Sequence, residues 1–117
     1  MADIVVTAAY ASVVEDDEEG LLFVGFAQGE AEDEDYALFR QPLDGGPVWF
    51  EVNDEAFGAA DALESVTPGP QGLEITLARP ASYGWARSVL VQIGPECEDA
   101  DEALAALAGM LGAVWRG

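Results

Sequence analysis

Apolar residues in this chain recur mostly with the two-residue rhythm of strands, and only the last stretch carries the wider spacing of a helix. Residues 4–14 are rich in Val, Ala and Tyr without helical spacing of large apolar groups, which predicts a first strand. Residues 21–27 (LLFVGFA) are apolar on both faces, as expected of a central strand covered on each side, with Gly25 marking a bulge or a close approach. Residues 36–41 suit a half-buried strand, and LDGGP after them reverses the chain. Residues 48–53 set Val48, Phe50 and Val52 on one face against Trp49, Glu51 and Asn53 on the other.

Residues 54–61 are small, acidic and glycine-bearing, so a loop or a single helical turn is expected there. Residues 63–67 and 73–79 flank PGPQG as a hairpin, with Leu73, Ile75 and Leu77 inward. A short helical turn around Gly84 precedes a strand at 88–93, which Gly94 and Pro95 should end. The helix is expected over residues 100–115, capped by Asp99 with Glu102 three residues on. Its stripe of Leu104, Leu107, Leu111 and Val114 would pack on the sheet. The expected fold class is α+β: a single antiparallel sheet of about six to seven mostly hairpin-linked strands with a C-terminal helix on one face, one domain over residues 1–117.

Charge narrows the partner. The chain has 23 acidic residues against four basic ones, a formal net charge of -19, so it repels phosphates and anionic lipid and attracts basic surfaces. Nucleic acid and membranes are therefore excluded as expected partners, and no apolar run approaches the ~20 residues of a membrane span. The acidity is concentrated in two runs, Glu15, Asp16, Asp17, Glu18 and Glu19, then Glu30, Glu32, Asp33, Glu34 and Asp35. With one strand between them they would lie at opposite ends of the sheet, roughly 25 Å apart and beyond the ~8 Å screening length, as two separate patches. Solvated hairpin tips are the plainer reading of both runs; a partner-facing surface is the functional one.

Absent residue types exclude more chemistry than present ones suggest. Without His or Lys and with one Cys, the chain holds no Ser-His-Asp or Cys-His machinery, Cys/His zinc site, Schiff-base lysine or P-loop. Cys97 lies in PECED, where neighbouring carboxylates raise a thiol's pKa, and it is read as inert. EDDEEG fails as a calcium loop, because the twelfth position that needs a bidentate Glu is Phe26. Paired carboxylates could serve glycoside hydrolysis, yet no pattern selects a pair. No enzyme, no cofactor and no metal is the resulting expectation. The single Cys and the lack of a basic-then-apolar N-terminal pattern point to the cytoplasm. The four arginines, Arg40, Arg79, Arg87 and Arg116, are expected to relieve acidic repulsion as ion-pair partners.

The order of VGFAQ (24–28), an acidic gap, YALFRQPL (36–43), VWFEVNDEAFGA (48–59), a hairpin and a final helix resembles the immunity protein 10 family of bacterial polymorphic-toxin systems. The resemblance implies a cytoplasmic protein that binds and neutralises a cognate toxin, with no catalytic residue to carry over. A basic toxin domain is the implied partner, and a DNA mimic or another acidic protein-binding regulator is the alternative. Charge would set the speed of association, while tight binding needs anchors. Trp49, Phe57 and Tyr36 are the candidates, with Asp54 and Glu55 beside them, and ordinary core under the loop after Asn53 is the plainer reading of Trp49. Trp85 and Trp115 are expected in the core, and a monomer is expected over a homodimer because the charge opposes self-association.

Overall fold

The computed structural model describes residues 2–29 and 34–117. Eight strands, β1 (Ile4–Asp16), β2 (Leu21–Ala27), β3 (Tyr36–Pro42), β4 (Trp49–Val52), β5 (Asp54–Ala60), β6 (Leu63–Gly69), β7 (Gly72–Leu77) and β8 (Ser88–Glu98), precede the helix α1 (Ala100–Leu111). They form one sheet in the order β5-β4-β3-β2-β1-β8-β7-β6. The α+β class agrees with the sequence reading, but the sheet has eight strands and is mixed. β1 runs parallel to β8 while every other neighbour is antiparallel. Hairpin signals connect chain neighbours only, so a parallel pair between the first and last strands leaves no local mark.

Local chemistry explains most of these elements. The β1–β2 turn closes when Gly20, at φ 68°, donates its N–H to the Asp16 carbonyl. Asp16 Oδ1 accepts the N–H groups of Glu18 and Glu19 at 3.0 and 3.1 Å, so one acidic side chain shapes the turn. A register shift against β8 between Ala8 and Tyr10 changes the phase of β1, and Val6, Ala8 and Ala11 are all buried in consequence. Gly25 marks neither bulge nor crowding: both its ladders run without a break, and a Cβ there would lie 3.5 Å from Ser12 Oγ.

Residues 54–60 are a strand, not the expected loop or helical turn. Asn53 adopts φ 65°, which Asn tolerates better than most residues, and reverses the chain while its Oδ1 accepts the Tyr36 N–H at 3.0 Å. Pairing with β4 then overrides the weak strand preference of AFGAA. β8 likewise continues through Gly94 and Pro95 to Glu98, which pairs with Tyr10. Asp99 does occupy the helix N-cap, but it sits at φ 60° with no side-chain cap, and its carbonyl accepts the Ala103 N–H. The helix stops at Leu111 because Gly112 takes φ 54°, and a 3₁₀ turn follows. Its buried residues are Ala103, Leu107, Met110 and Leu111, with Leu104 and Val114 at the margin, so the stripe is rotated from the expected one.

The helix covers one face of the sheet, packing on β1 and β2. On the same face Phe26, Phe39, Phe50 and Tyr83 form a chain of rings with centroids 6.4, 4.8 and 5.8 Å apart, each ring burying roughly 1.5–3 kcal/mol of transfer free energy. Tyr83, in the 3₁₀ turn Pro80–Tyr83 after β7, donates its hydroxyl to the Phe50 carbonyl at 2.7 Å. That bond ties the β7 end of the chain to β4, on the far side of the sheet, and holds the sheet curled. No helix among the described residues is long and apolar enough to cross a membrane.

Candidate partner-binding face

The face of β1–β5 opposite α1 carries its own pattern. Register aligns Val14, Phe23, Arg40, Trp49 and Ala60 in one row across the five strands, and Ser12, Gly25, Leu38, Glu51 and Gly58 in the next. Phe23, Leu38 and Trp49 are half-buried and Val14 is exposed, because no second layer lies over them. This corrects the reading of residues 21–27 as covered on both sides. Alternation buries Val24 and Phe26 under the helix, while Leu21, Phe23 and Ala27 remain on the open face.

Glu51 organises that face. It is only 7% exposed, yet both carboxylate oxygens are satisfied: Tyr36 Oη donates to Oε2 at 2.5 Å and Trp49 Nε1 donates to Oε1 at 2.8 Å. Hydrogen bonds to an ionised group are the strong kind, and two of them fix two aromatic rings in one orientation. The Trp49 indole lies over Gly58, where a Cβ would come 2.5 Å from Cζ2, so the strand glycine is the seat of the ring. The Arg40 guanidinium sits 4.9 Å from the centroid of the same indole. Arg40 thereby serves as a cation-π partner, and among the described residues no ion pair of the expected kind involves it. Arg79 Nε donates to the carbonyl of Asp61. Burial, the bond to Glu51 and the charges of Glu51, Asp54 and Glu55 push the Tyr36 phenol well above its usual value, so it stays a donor.

The described members of the two acidic runs, Glu15 to Glu19 and Glu34 with Asp35, lie at opposite ends of β2. Glu15, Asp16, Asp17, Glu18 and Glu19 surround the β1–β2 turn, and the Leu43 N–H donates to the Gly20 carbonyl, which brings the β3–β4 loop with Asp44 alongside. At the other end Glu34 and Asp35 precede Tyr36, which is locked to Asn53, so Asp54 and Glu55 gather there. Glu30, Glu32 and Asp33 lie outside the described residues. Trp49 and Tyr36 thus share one surface, framed by negative charge at both ends.

Phe57 is not on that surface. It sits on the other face of β5, where a Cβ on Gly84 would come 3.7 Å from its ring. Trp85, expected in the core, is 76% exposed beside it, while Trp115 is half-buried against the core. Sequence reasoning also passed over Glu51, Arg40, Leu38 and Phe23. The available signal was alternation: the same period that places Val48, Phe50 and Val52 inward places Trp49 and Glu51 together outside.

An open cleft of about 770 Å³ lies elsewhere, lined by Thr7, Gln71, Gln92, Glu96 and Cys97 among others. Its ionisable residues are Glu96 and Cys97, and burial with the charges of Asp99 and Glu98 pushes the thiol pKa up, away from reactivity. Comparison with protein-family models, with curated proteins and with solved structures gives no match for this chain.

Proposed function

We propose that this chain is a protein-binding inhibitor, an immunity protein that holds and neutralises a basic toxin domain in the cytoplasm of the cell that makes it. The observation that carries the binding part is the preorganised Tyr36–Glu51–Trp49 triad on an uncovered sheet face. Rigid aromatic anchors lose little entropy on association, and they sit between two electronegative ends that would steer a cationic partner. The resemblance of the chain to the immunity protein 10 family supplies the toxin part of the reading. A DNA mimic would need free carboxylates ranged along the face; the carboxylate at its centre, Glu51, has both oxygens occupied by its own neighbours.

The test is binding of the toxin domain encoded next to this chain. Leu38→Glu and Trp49→Ala should weaken the complex by tenfold or more, through faster dissociation. Neutralising Glu15, Asp17, Glu18 and Glu19, but not the turn-forming Asp16, should slow association and flatten its salt dependence. A neighbouring gene that encodes no toxin, together with no binding by any basic toxin domain tried, would sink the proposal.

A further inference from the structure

The sheet has two edges, and they are finished differently. At the β6 edge Val66 forms a parallel bridge with Trp115, and the Arg116 N–H donates to the Val66 carbonyl at 2.9 Å, so the terminal segment covers it. At the other edge β5 pairs with β4 alone among the described residues. The Asp61 N–H donates inward to Val48, and strand alternation therefore turns the N–H and C=O groups of Gly58 and Ala60 outward. Natural edges are blunted by Lys, Pro or inward charge; Ala56, Phe57, Gly58, Ala59 and Ala60 offer none of these.

Two exposed aromatic groups belong to this region, Phe57 on β5 itself and Trp85, the chain neighbour of the Gly84 that lies against the Phe57 ring. Phe57 is 41% exposed and Trp85 is 76% exposed. Trp85 is held at φ 68°, directly after Gly84 at φ 63°, with its N–H donated to the Pro80 carbonyl at 2.8 Å. A bulky residue in the left-handed region costs roughly 1–2 kcal/mol, and here the outlay turns a Trp toward solvent.

We propose that β5 is a strand-addition site which takes an extended, basic segment of a partner protein as a ninth strand, with Phe57 and Trp85 clasping its apolar side chains. The charge argues for the sign of that segment. Asp54 and Glu55 open the strand, Asp61 follows it, and it contains no cation. A second copy of this chain would set those carboxylates against their equals at a net charge of -19 each, which disfavours β5–β5 pairing. The inference rests on the protein-binding reading above but concerns the backbone edge of β5 and not the side-chain face on which Trp49 lies.

The experiment uses the full chain and two peptides of about nine residues, one alternating Lys with Val and one alternating Glu with Val. Amide hydrogen exchange at Gly58 and Ala60, read by NMR, should slow about tenfold or more with the Lys peptide and stay unchanged with the Glu peptide. Ala60→Pro removes an outward N–H without touching the β4 ladder and should abolish the protection. Trp85→Ala, at an exposed position, should weaken it in a chain that folds normally. Unprotected β5 amides, protection that survives both substitutions, equal response to the Glu peptide, or protection that grows with protein concentration alone would each overturn the proposal. If Ala60→Pro and Trp85→Ala leave toxin binding intact while Leu38→Glu destroys it, this inference falls and the proposed function stands.

Discussion

The indole of Trp49 is seated on Gly58, so closely that a single added carbon on the glycine would come within 2.5 Å of the ring. Gly58→Ala must therefore lift the indole or push back the strand, since the same carbon would also lie 2.9 Å from Glu51 Cβ. Either way the bond from Trp49 Nε1 to Glu51 is lost and a buried carboxylate oxygen is left without its donor. The expected cost is about 1–3 kcal/mol, read as a fall in the urea midpoint with an altered tryptophan emission. Gly25→Ala is the control: on the same face its Cβ meets ordinary contacts, and stability should hold or rise by about 0.5 kcal/mol.

Glu51→Gln keeps the size of the side chain and halves its usefulness. An amide has one acceptor oxygen, which can serve Trp49 Nε1, while the Tyr36 hydroxyl must turn from donor to acceptor and both bonds lose their ionised partner. Stability should drop by about 1–2 kcal/mol. The Tyr36 phenol loses two of the influences that raise its pKa, and ultraviolet titration should show it ionising at lower pH than in the parent chain. An unchanged titration curve would mean that Glu51 does not govern Tyr36.

Alkaline pH tests the curl of the sheet. Burial pushes the Tyr83 phenol from 10 up to about 12 in the folded chain, against a lowering influence from the Ala59 backbone and a further raising one from Glu51. The folded state thus holds this proton more tightly than the unfolded one. Its contribution is complete below pH 10 and is lost as pH rises through about 12, on the order of 2 kcal/mol in all. Tyr83→Phe should remove this alkaline loss while lowering stability at neutral pH by about 1 kcal/mol, from the lost hydroxyl bond to the Phe50 carbonyl.

Trp85→Gly should leave stability within about 1 kcal/mol of the parent, on the stabilising side, because relief at φ 68° outweighs the extra freedom of glycine in the unfolded chain. Phe50→Ala, which empties a site with no solvent exposure, should cost about 3–5 kcal/mol. Thermal melts of the two variants separate an aromatic residue the fold does not need from one it does.

Seven of the eight strands and the helix were legible because their signals are local: alternation in residues 48–52, the PGPQG hairpin, the acidic start of α1. β5 was not, since Ala and Gly carry no strand preference and its pairing was decided by β4. Trp85 was misplaced because its burial depends on two consecutive left-handed residues, of which only Gly84 announces itself in sequence. The apolar content of both faces of β2 was read correctly, but the inference that both were covered was not. Composition reports what a face is made of, whereas the layer above it depends on where one helix lands. Tyr36 and Trp49 were found as aromatic candidates; their joining through Glu51 follows from the register of β3 against β4, which no single-strand pattern encodes.

The parallel pairing of β1 with β8 also sets an order of events. Strands β1 to β5 meet their neighbours along the chain and can zip up locally, and so can β6 to β8. The seam between the two groups joins Thr7 to Gln92 across 85 positions, and such long closures come late and slowly. During synthesis the first group, with its aromatic face drawn, leaves the ribosome before α1 exists to roof its apolar underside. Stopped-flow refolding should accordingly show destabilising substitutions within β1–β5 slowing folding, because those contacts precede closure of the seam, while substitutions in contacts made only after that closure mainly speed unfolding. A cell making this protein depends, for the interval between residue 60 and residue 111, on an unfinished half-sheet staying out of trouble, and the charge of the first acidic turn is already in place to keep such halves apart.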